Sequence, residues 1–387
     1  MSDDGAVSVD LSNYELLWPH ELFASEGQRI LRASDRTSAS SWVERAAWLI
    51  TEALAGTTAV ADFEELPDEP RPRSDALWSS TPAGGDTRGD MSKREWFTGL
   101  VNGADKLRYA AAPRPYWPQR HGSGLSHDGS TARDTRRDFA RLITGFETNG
   151  YLAEMFGEAC VDDDSELPNA SEVIELRLGI PGLWPLAPET WDEETFYGLI
   201  EVFHDLVSRP RIRSYHPFDS CGWHHREFHN GPARILYRWK VNQLLRSAGI
   251  EYELAAEGED LGRLVAVTDD ARSQLVHRAL NEGPADIAGS VRHAIALFRG
   301  RDTSAESKRS AIFNLGRILE ARRALLKAEL FTKDEGALFQ IANGFDLRHS
   351  NAGQHREYNE AFLDWIFWWY LATVELTNRL VGSQGSA

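Results

Sequence analysis

The spacing of apolar and polar residues predicts a chain that is mostly helical, with two segments that have the period of strands. In the first two thirds, apolar residues recur at helical spacing over 41–54, 92–110, 135–146, 193–207 and 233–249. Residues 171–180 alternate between apolar and polar side chains, which predicts a half-buried strand. Residues 250–268 predict a β-hairpin that turns at 257–260.

From residue 285 onward the apolar spacing is helical throughout, over 285–300, 304–330, 333–344 and 357–381. Four helices joined by short connections are typical of a helical bundle. The pattern therefore predicts a mainly α protein, in which an α+β N-terminal region with a small β-hairpin, 1–284, precedes a bundle, 285–387. A polar stretch rich in Gly, Ser and Pro marks a candidate subdivision of the N-terminal region near 110–134.

Charge separates the same two regions. The chain of 387 residues has a net charge of −17, which argues against broad, nonspecific binding to nucleic acid. Residues 285–387 hold 13 Lys and Arg against 12 Asp and Glu, so nearly all the excess negative charge lies in 1–284. Only the C-terminal region is suited to approach a polyanion.

Neither end of the sequence predicts a membrane or secreted protein. The acidic start lacks the pattern of a secretory signal, and the most apolar run, 365–374, is too short to span a bilayer. The two cysteines form no disulfide framework and no Cys-rich metal module. We expect a cytoplasmic protein without a cofactor, metal site or membrane contact.

The candidate chemistry lies just before the last helix, in "RHSNAGQH" (348–355). Cleavage of RNA without a metal requires proton transfer to and from ribose and phosphate oxygens, and a cation that stabilises the phosphorane. Imidazole suits the proton transfers because its pKa is near neutrality, and guanidinium suits the phosphate because its planar fork stays charged. Arg348, His349 and His355 supply both groups, and a helix N-terminus would add N–H donors.

These residues resemble the motif of HEPN domains, in which Arg, a polar residue and a His open the last long helix of a helical bundle. The resemblance covers about 285–381 and implies a metal-independent ribonuclease of toxin or phage-defence systems, usually a homodimer that brings two motifs together. It makes Arg348, His349 and His355 catalytic. Asn351 would orient ribose or phosphate, or cap the helix, and Glu320 and Arg317 on the preceding long helix are candidate substrate-binding residues, with Arg322 beside them.

The motif is short, and the chain contains a second copy of it. "RHGSGLSH" (120–127) places Arg120, His121 and His127 at similar spacing, but in a polar loop without a following amphipathic helix. Because nothing there would fix the imidazoles, we interpret this copy as coincidence, and structural context as the feature that distinguishes 348–355.

A histidine-rich stretch, 215–230, raises a different hypothesis. His225 and His229 have the i,i+4 spacing that places two imidazoles on one face of a helix, with Cys221 or Glu227 near enough to join them. A further ligand at a recognised spacing is missing, so a metal-dependent enzyme built on these histidines is the less favoured alternative.

The middle of the chain resembles, in its helix and hairpin pattern alone, the modules attached to HEPN domains in abortive-infection proteins. That resemblance implies a sensing role with a phage-derived or protein trigger. One side of a predicted helix carries candidate contacts for RNA or a phage component: Arg234, Arg238, Asn242 and Arg246.

The favoured hypothesis is therefore an anti-phage or toxin-like endoribonuclease that cuts RNA by 2′-OH attack. The alternative is a non-catalytic helical protein that binds a partner protein or nucleotide.

Overall fold

The computed structural model describes residues 9–33, 40–69, 91–110, 132–162, 166–218, 221–281, 283–300, 304–330, 336–341 and 360–384. These residues are mainly helical and include three pairs of short strands, which confirms the predicted fold class. They form two compact units, Met1–Leu244 and Leu245–Ala387. Among the described helices, none has the length and hydrophobicity required to cross a membrane.

The N-terminal unit begins with a group of helices and a two-stranded parallel pair. Its elements are β1 (Glu15–Leu16), α1 (His20–Arg32), α2 (Trp42–Ala53), α3 (Thr58–Glu65), α4 (Lys93–Asn102) and β2 (Arg108–Tyr109). Capping boxes start α2 at Ser41 and Glu44, and α4 at Ser92 and Glu95. The helix predicted over 92–110 is shorter than expected because Gly103 caps α4 and the chain then enters β2.

The rest of the unit places an antiparallel hairpin between helices. Its elements are α5 (Ala132–Thr148), α6 (Ala153–Phe156), α7 (Ala170–Leu178), α8 (Glu193–Leu206), β3 (Arg209–His216), β4 (Gly222–His229) and α9 (Asn230–Ser247). The strands pair from Arg209 opposite His229 to His216 opposite Gly222. Asp192 caps α8 by accepting a hydrogen bond from the Thr195 amide at 2.7 Å.

The strand predicted over 171–180 is wrong, because this segment forms α7. Asn169 caps the helix through its side chain, and Gly179 ends it in the left-handed conformation with φ of 73°. Ile174 is fully buried and Leu176 is 86% exposed, so the apparent alternation did not mark a buried strand face. The two capping residues, rather than the apolar spacing, indicate that this segment is a helix.

Charged side chains cross the core of the N-terminal unit. Arg209, 2% exposed, donates to Glu26 at 2.8 Å and to Glu52 at 3.1 Å, and its guanidinium lies 5.0 Å from the Trp18 ring centre. Burial alone would raise the pKa of Glu26, but Arg209 and neighbouring arginines outweigh it and hold that pKa below its ordinary value. Burial dominates at Glu52, whose pKa is raised.

The C-terminal unit starts with a hairpin and continues with helices. Its elements are β5 (Tyr252–Leu254), β6 (Leu264–Ala266), α10 (Asp270–Asn281), α11 (Ala285–Arg299), α12 (Ala305–Ala321), α13 (Arg323–Glu329) and α14 (Ala361–Gln384). The hairpin predicted over 250–268 is confirmed. The helix predicted over 304–330 is divided at Arg322, and residues 336–341 are helical as well.

Helices α10, α11, α12 and α14 enclose one apolar core. Two contacts show that α12 and α14 run parallel: Lys308 reaches Asp364 at 2.8 Å, and Arg322 reaches Asn378 at 2.7 Å. Because parallel neighbours cannot be joined by a short turn, a long connection returns the chain from the end of α12 to the start of α14.

Candidate functional site

The residues of the predicted catalytic motif lie outside the part of the chain that the structure describes. Arg348, His349, Asn351 and His355 all fall within 342–359. The second copy of the motif, 120–127, also lies outside the described residues. The structure therefore describes the helices on either side of 342–359.

Both flanks of this segment are attached to the same core. On one side Leu338 and Phe339 are 2% and 6% exposed, and the Tyr370 hydroxyl donates to the Leu338 carbonyl at 2.8 Å. On the other side α14 begins at Ala361, and Leu363 is fully buried two residues later. The candidate motif therefore belongs to a connection whose two ends are anchored on the bundle.

The side chain of Lys308 lies beside the start of α14. The Lys308 ammonium contacts Asp364 at 2.8 Å and Glu360 at 3.9 Å, and it lies 5.7 Å from the centre of the Phe298 ring. Its side chain is 17% exposed, whereas Glu360 is 63% exposed. Lys308 thus offsets two carboxylates that would otherwise repel an RNA phosphate at this end of the helix.

The two predicted substrate-binding residues lie farther along α12. Arg317 and Glu320 are exposed, nine and twelve residues beyond Lys308. At about 1.5 Å per residue they are roughly 14 and 18 Å from the level at which α14 begins. Their role in substrate binding stays a prediction, and the parallel register argues against direct contact with the first turn of α14.

Arg322 has a structural role in this register. It donates to the Thr377 hydroxyl at 2.6 Å and to the Asn378 side-chain oxygen at 2.7 Å, near the end of α14. This pair of bonds holds the C-terminal ends of α12 and α14 together. The Arg322 side chain is engaged there, more than four turns from the start of α14.

The basic face predicted on α9 is largely used within the protein. Arg234 donates to the backbone carbonyl of Asp205 at 3.1 Å, and Arg238 donates to Nε2 of His204 at 3.1 Å. Asn242 is half-buried and Arg246 is exposed. Arg234 and Arg238 therefore anchor α9 on α8, and the contact of this helix face with RNA or a phage component stays a prediction.

The N-terminal unit also contains a cavity of about 210 Å³. Its wall includes Trp18, Glu52, Tyr151 and Lys240. Burial raises the pKa of Glu52 and of Tyr151 and lowers that of Lys240. Shifted groups that face one cavity are a feature of ligand pockets as well as of structural ion networks, and here Arg209 ties Glu52 into the network of the core.

The metal hypothesis based on 225 and 229 is wrong in its geometry. The stretch forms strand β4, not a helix, so His225 and His229 lie about 13 Å apart along the strand and cannot bind one ion. His225, with a side chain 5% exposed, is paired with Glu158 at 2.5 Å. The hairpin instead brings other ligand types together: Cys160, His216, Cys221 and His224. Because the stretch was predicted as a helix, these four residues were not predicted to lie together.

Comparison of this chain with models of protein families, with curated proteins and with solved structures gave no match. Its function has to be inferred from its own residues and their placement.

Proposed function

We propose that the chain is a metal-independent endoribonuclease of the HEPN type, with Arg348, His349 and His355 as its catalytic residues. The observation that carries the proposal is the position of the motif. His355 lies six residues before α14, in a connection whose two ends are both attached to the core of one helical bundle. That setting is the one the resemblance implies for a functional motif.

The chemistry follows from the side chains. One imidazole takes the proton of the ribose 2′-OH, and the 2′-oxygen attacks the phosphorus. The bond to the 5′-oxygen breaks, and that oxygen receives a proton from an imidazolium, which leaves a 2′,3′-cyclic phosphate and a 5′-OH. Arg348 holds the phosphate and stabilises the phosphorane through two parallel N–H donors. His355 carries a proton, and His349 positions the phosphate or shares the transfer.

The N-terminus of α14 would add to this site. α14 spans 24 residues, and the N-terminus of such a helix carries the positive end of the helix dipole. Asn351 would orient the ribose or cap this helix. Lys308 offsets part of the negative charge of Asp364 and Glu360 in this turn, which reduces their repulsion of a phosphate.

A homodimer would supply the second proton carrier. α14 exposes apolar side chains along one face: Phe362 is 46% exposed, Trp365 is 51% exposed and Leu376 is 40% exposed. Their spacing of three and eleven residues returns to nearly the same side of a helix, as an interface between two helical surfaces requires. Two copies that pack through this face with the starts of their α14 helices adjacent would bring two motifs close together.

The charge asymmetry suggests how such a nuclease is held inactive. Nearly all of the net charge of −17 lies in residues 1–284, while 285–387 is close to neutral. The acidic region would repel RNA until a phage-derived or protein trigger binds it. A nuclease released by such a trigger would act on RNA in an anti-phage or toxin-like defence system.

The test compares two motifs in one chain. Arg348→Ala and His355→Ala should each lower cleavage of single-stranded RNA at least about a hundredfold in a buffer with EDTA, because each removes a transition-state group. Arg120→Ala with His127→Ala changes the same residue types in the second copy and should leave the rate unchanged. Products of the wild-type protein should end in cyclic phosphate.

Equal activity in Arg348→Ala, His355→Ala and the wild type would refute the nuclease assignment. The assignment would also be refuted if the wild-type protein cleaved no RNA at concentrations at which it is dimeric. That result would favour the alternative, a non-catalytic binding protein.

A further inference from the structure

Both cysteines of the chain and two of its histidines meet at one end of the β3–β4 hairpin. The ligand atoms of Cys160, His216, Cys221 and His224 all lie within 4.8 Å of one another. The sequence contains only two cysteines, and 60 residues separate them, so the fold brings both to this one place. All four side chains are partly buried.

The strand register explains how the hairpin presents three of the four groups. His216 is the last residue of β3 and lies opposite Gly222, and His224 lies opposite Ser214. The two histidines are therefore diagonal neighbours on one face, with ring centres 5.9 Å apart. Gly222 has φ of 82°, which turns the chain so that Cys221 lies beside them.

The fourth group comes from the segment after α6. The Cys160 Sγ lies 3.7 Å from Nδ1 of His216, and the amide of Val161 donates to the Cys221 Sγ at 3.5 Å. Residues 158–162 therefore run along the end of the hairpin, with a sulfur from each segment facing the histidines.

The orientation of the imidazoles points to a metal rather than to simple packing. His216 presents Nδ1 to Cys160 and has Nε2 3.5 Å from a carboxylate oxygen of Asp162. His224 has Nδ1 4.0 Å from Glu158, and its Nε2 is buried with no hydrogen-bond partner. An imidazole with one nitrogen near a carboxylate and the other available is the arrangement of histidine ligands in metal sites.

We propose that Cys160, His216, Cys221 and His224 bind one Zn²⁺ ion in tetrahedral coordination. Two sulfurs and two nitrogens form a ligand set that selects zinc. Bonds of about 2.3 Å to sulfur and 2.0 Å to nitrogen require donor atoms roughly 3.3–3.8 Å apart, so the cluster has to contract by about 1 Å. Binding releases the two thiol protons to solvent, and both sulfurs coordinate as thiolates.

The ion serves structure, since four protein ligands leave no open position for substrate. It fixes residues 158–162 to the end of the hairpin and closes a loop of 60 residues between the cysteines. This end of the hairpin exposes Tyr215, Phe218 and Trp223, at 59%, 67% and 46%. Zinc therefore holds an exposed aromatic surface of the N-terminal unit in one conformation.

Metal content and binding of Co²⁺ test the site directly. The full-length protein, purified from zinc-containing medium, should contain one Zn²⁺ per chain by elemental mass spectrometry. Replacement by Co²⁺ should give the visible absorption of tetrahedral cobalt with thiolate ligands. Cys221→Ser and His224→Gln should each weaken zinc binding at least about tenfold, whereas His229→Gln, on the same strand but outside the cluster, should retain the ion.

Folding of the variants is monitored by circular dichroism. A second measurement uses the wild-type protein and does not depend on the variants. Wild-type protein stripped by chelator and titrated with Zn²⁺ alone should bind one equivalent with release of two protons. A stripped protein that binds no Zn²⁺ or Co²⁺ refutes the site, and so does zinc retained by the Cys160→Ser, Cys221→Ser double variant. The site is also refuted if the protein, kept under reducing conditions, has a mass 2 Da below that of the free-thiol form, because this would show a Cys160–Cys221 disulfide.

The zinc site and the nuclease fail independently. Cleavage lost in chelator and restored by Zn²⁺ but not by Mg²⁺, together with loss in Cys221→Ser, would reflect loss of the structural ion. Activity that survives chelation while zinc is lost would support the nuclease and leave the zinc site established by its metal content.

Discussion

The two units of the molecule bury different kinds of side chain. The N-terminal unit buries an arginine between two carboxylates and two tryptophans, with Arg209 2% exposed and Glu26 3% exposed. The described apolar core of the C-terminal unit consists of aliphatic and aromatic side chains, most of them on α10, α11, α12 and α14. Its buried carboxylate, Glu375, is 8% exposed and pairs with arginines that are themselves 35% and 59% exposed. A buried charge depends on its partners, whereas a buried leucine depends on the volume that it fills. The two cores should therefore respond differently to substitution.

The largest effect is expected for Arg209→Met. The substitution leaves Glu52 buried without its ion-pair partner and removes one of the ion pairs of Glu26, which should lower the free energy of unfolding by about 3–5 kcal/mol. Glu26 keeps its ion pairs with Arg29 and Arg211. Urea unfolding measures the loss, and hydrogen exchange should locate it in α1 and α2. Arg141→Met, at an exposed ion pair with Asp138, is the matched control and should change stability by less than about 1 kcal/mol.

An Arg209→Met protein as stable as the wild type would show that the buried charges do not control this core. Adding Glu52→Gln to that variant should recover part of the loss, because the carboxylate that lost its ion-pair partner is then replaced by a neutral amide.

The C-terminal core should be broken by a cavity instead. Leu315 is fully buried on α12, and Leu315→Ala should lower the free energy of unfolding by about 3 kcal/mol, measured by urea unfolding. Phe313 on the same helix is 41% exposed, so Phe313→Ala should cost less than about 1 kcal/mol. Equal losses in the two variants would contradict the assignment of the core face of α12.

A smaller effect is expected in the pH dependence of stability, through His204 in the N-terminal unit. Burial, supported by Arg238 and Arg234 and opposed by Asp205, lowers the pKa of His204 to about 4. His204 is 1% exposed and accepts a hydrogen bond from Arg238 at Nε2, which requires a neutral ring. The unfolded chain, with a pKa near 6.5, binds more protons below that pH, so this group's contribution is complete above about pH 6.5 and declines toward pH 4.

Between pH 7 and pH 5 the loss from His204 amounts to about 2 kcal/mol. Urea unfolding at the two pH values should show it in the wild type, and His204→Gln should lack that part of the difference. An unchanged pH dependence in the variant would mean that His204 binds a proton as readily in the folded protein as in the unfolded chain, so that its pKa is not lowered.

Apolar spacing allowed most of the long helices to be predicted. Phe196, Leu199, Ile200 and Phe203 recur at helical spacing, and all four are buried on α8. The C-terminal helices were predicted for the same reason, and Ser304 caps α12 by accepting from the Ser307 amide.

Where polar side chains determine the structure, the sequence was less informative. The β3–β4 hairpin is rich in Arg and His, so its strands were not recognised, and Arg209 gave no sign of burial because arginine is usually exposed. The zinc ligands were missed because Cys160 is far from the others along the chain and becomes a neighbour only through the fold. A strand assignment would have paired His216 with His224 and removed His229.

The parallel pairing of α12 and α14 also bears on how fast the C-terminal unit folds. Lys308 and Asp364 are 56 residues apart, and so are Arg322 and Asn378. In an up-and-down bundle most neighbours form soon after a short turn closes, whereas here a long segment has to close before the pair can pack. The connection that carries Arg348 and His355 thus lengthens the search for the native bundle, and we expect slower folding than for a bundle of the same size with sequential neighbours.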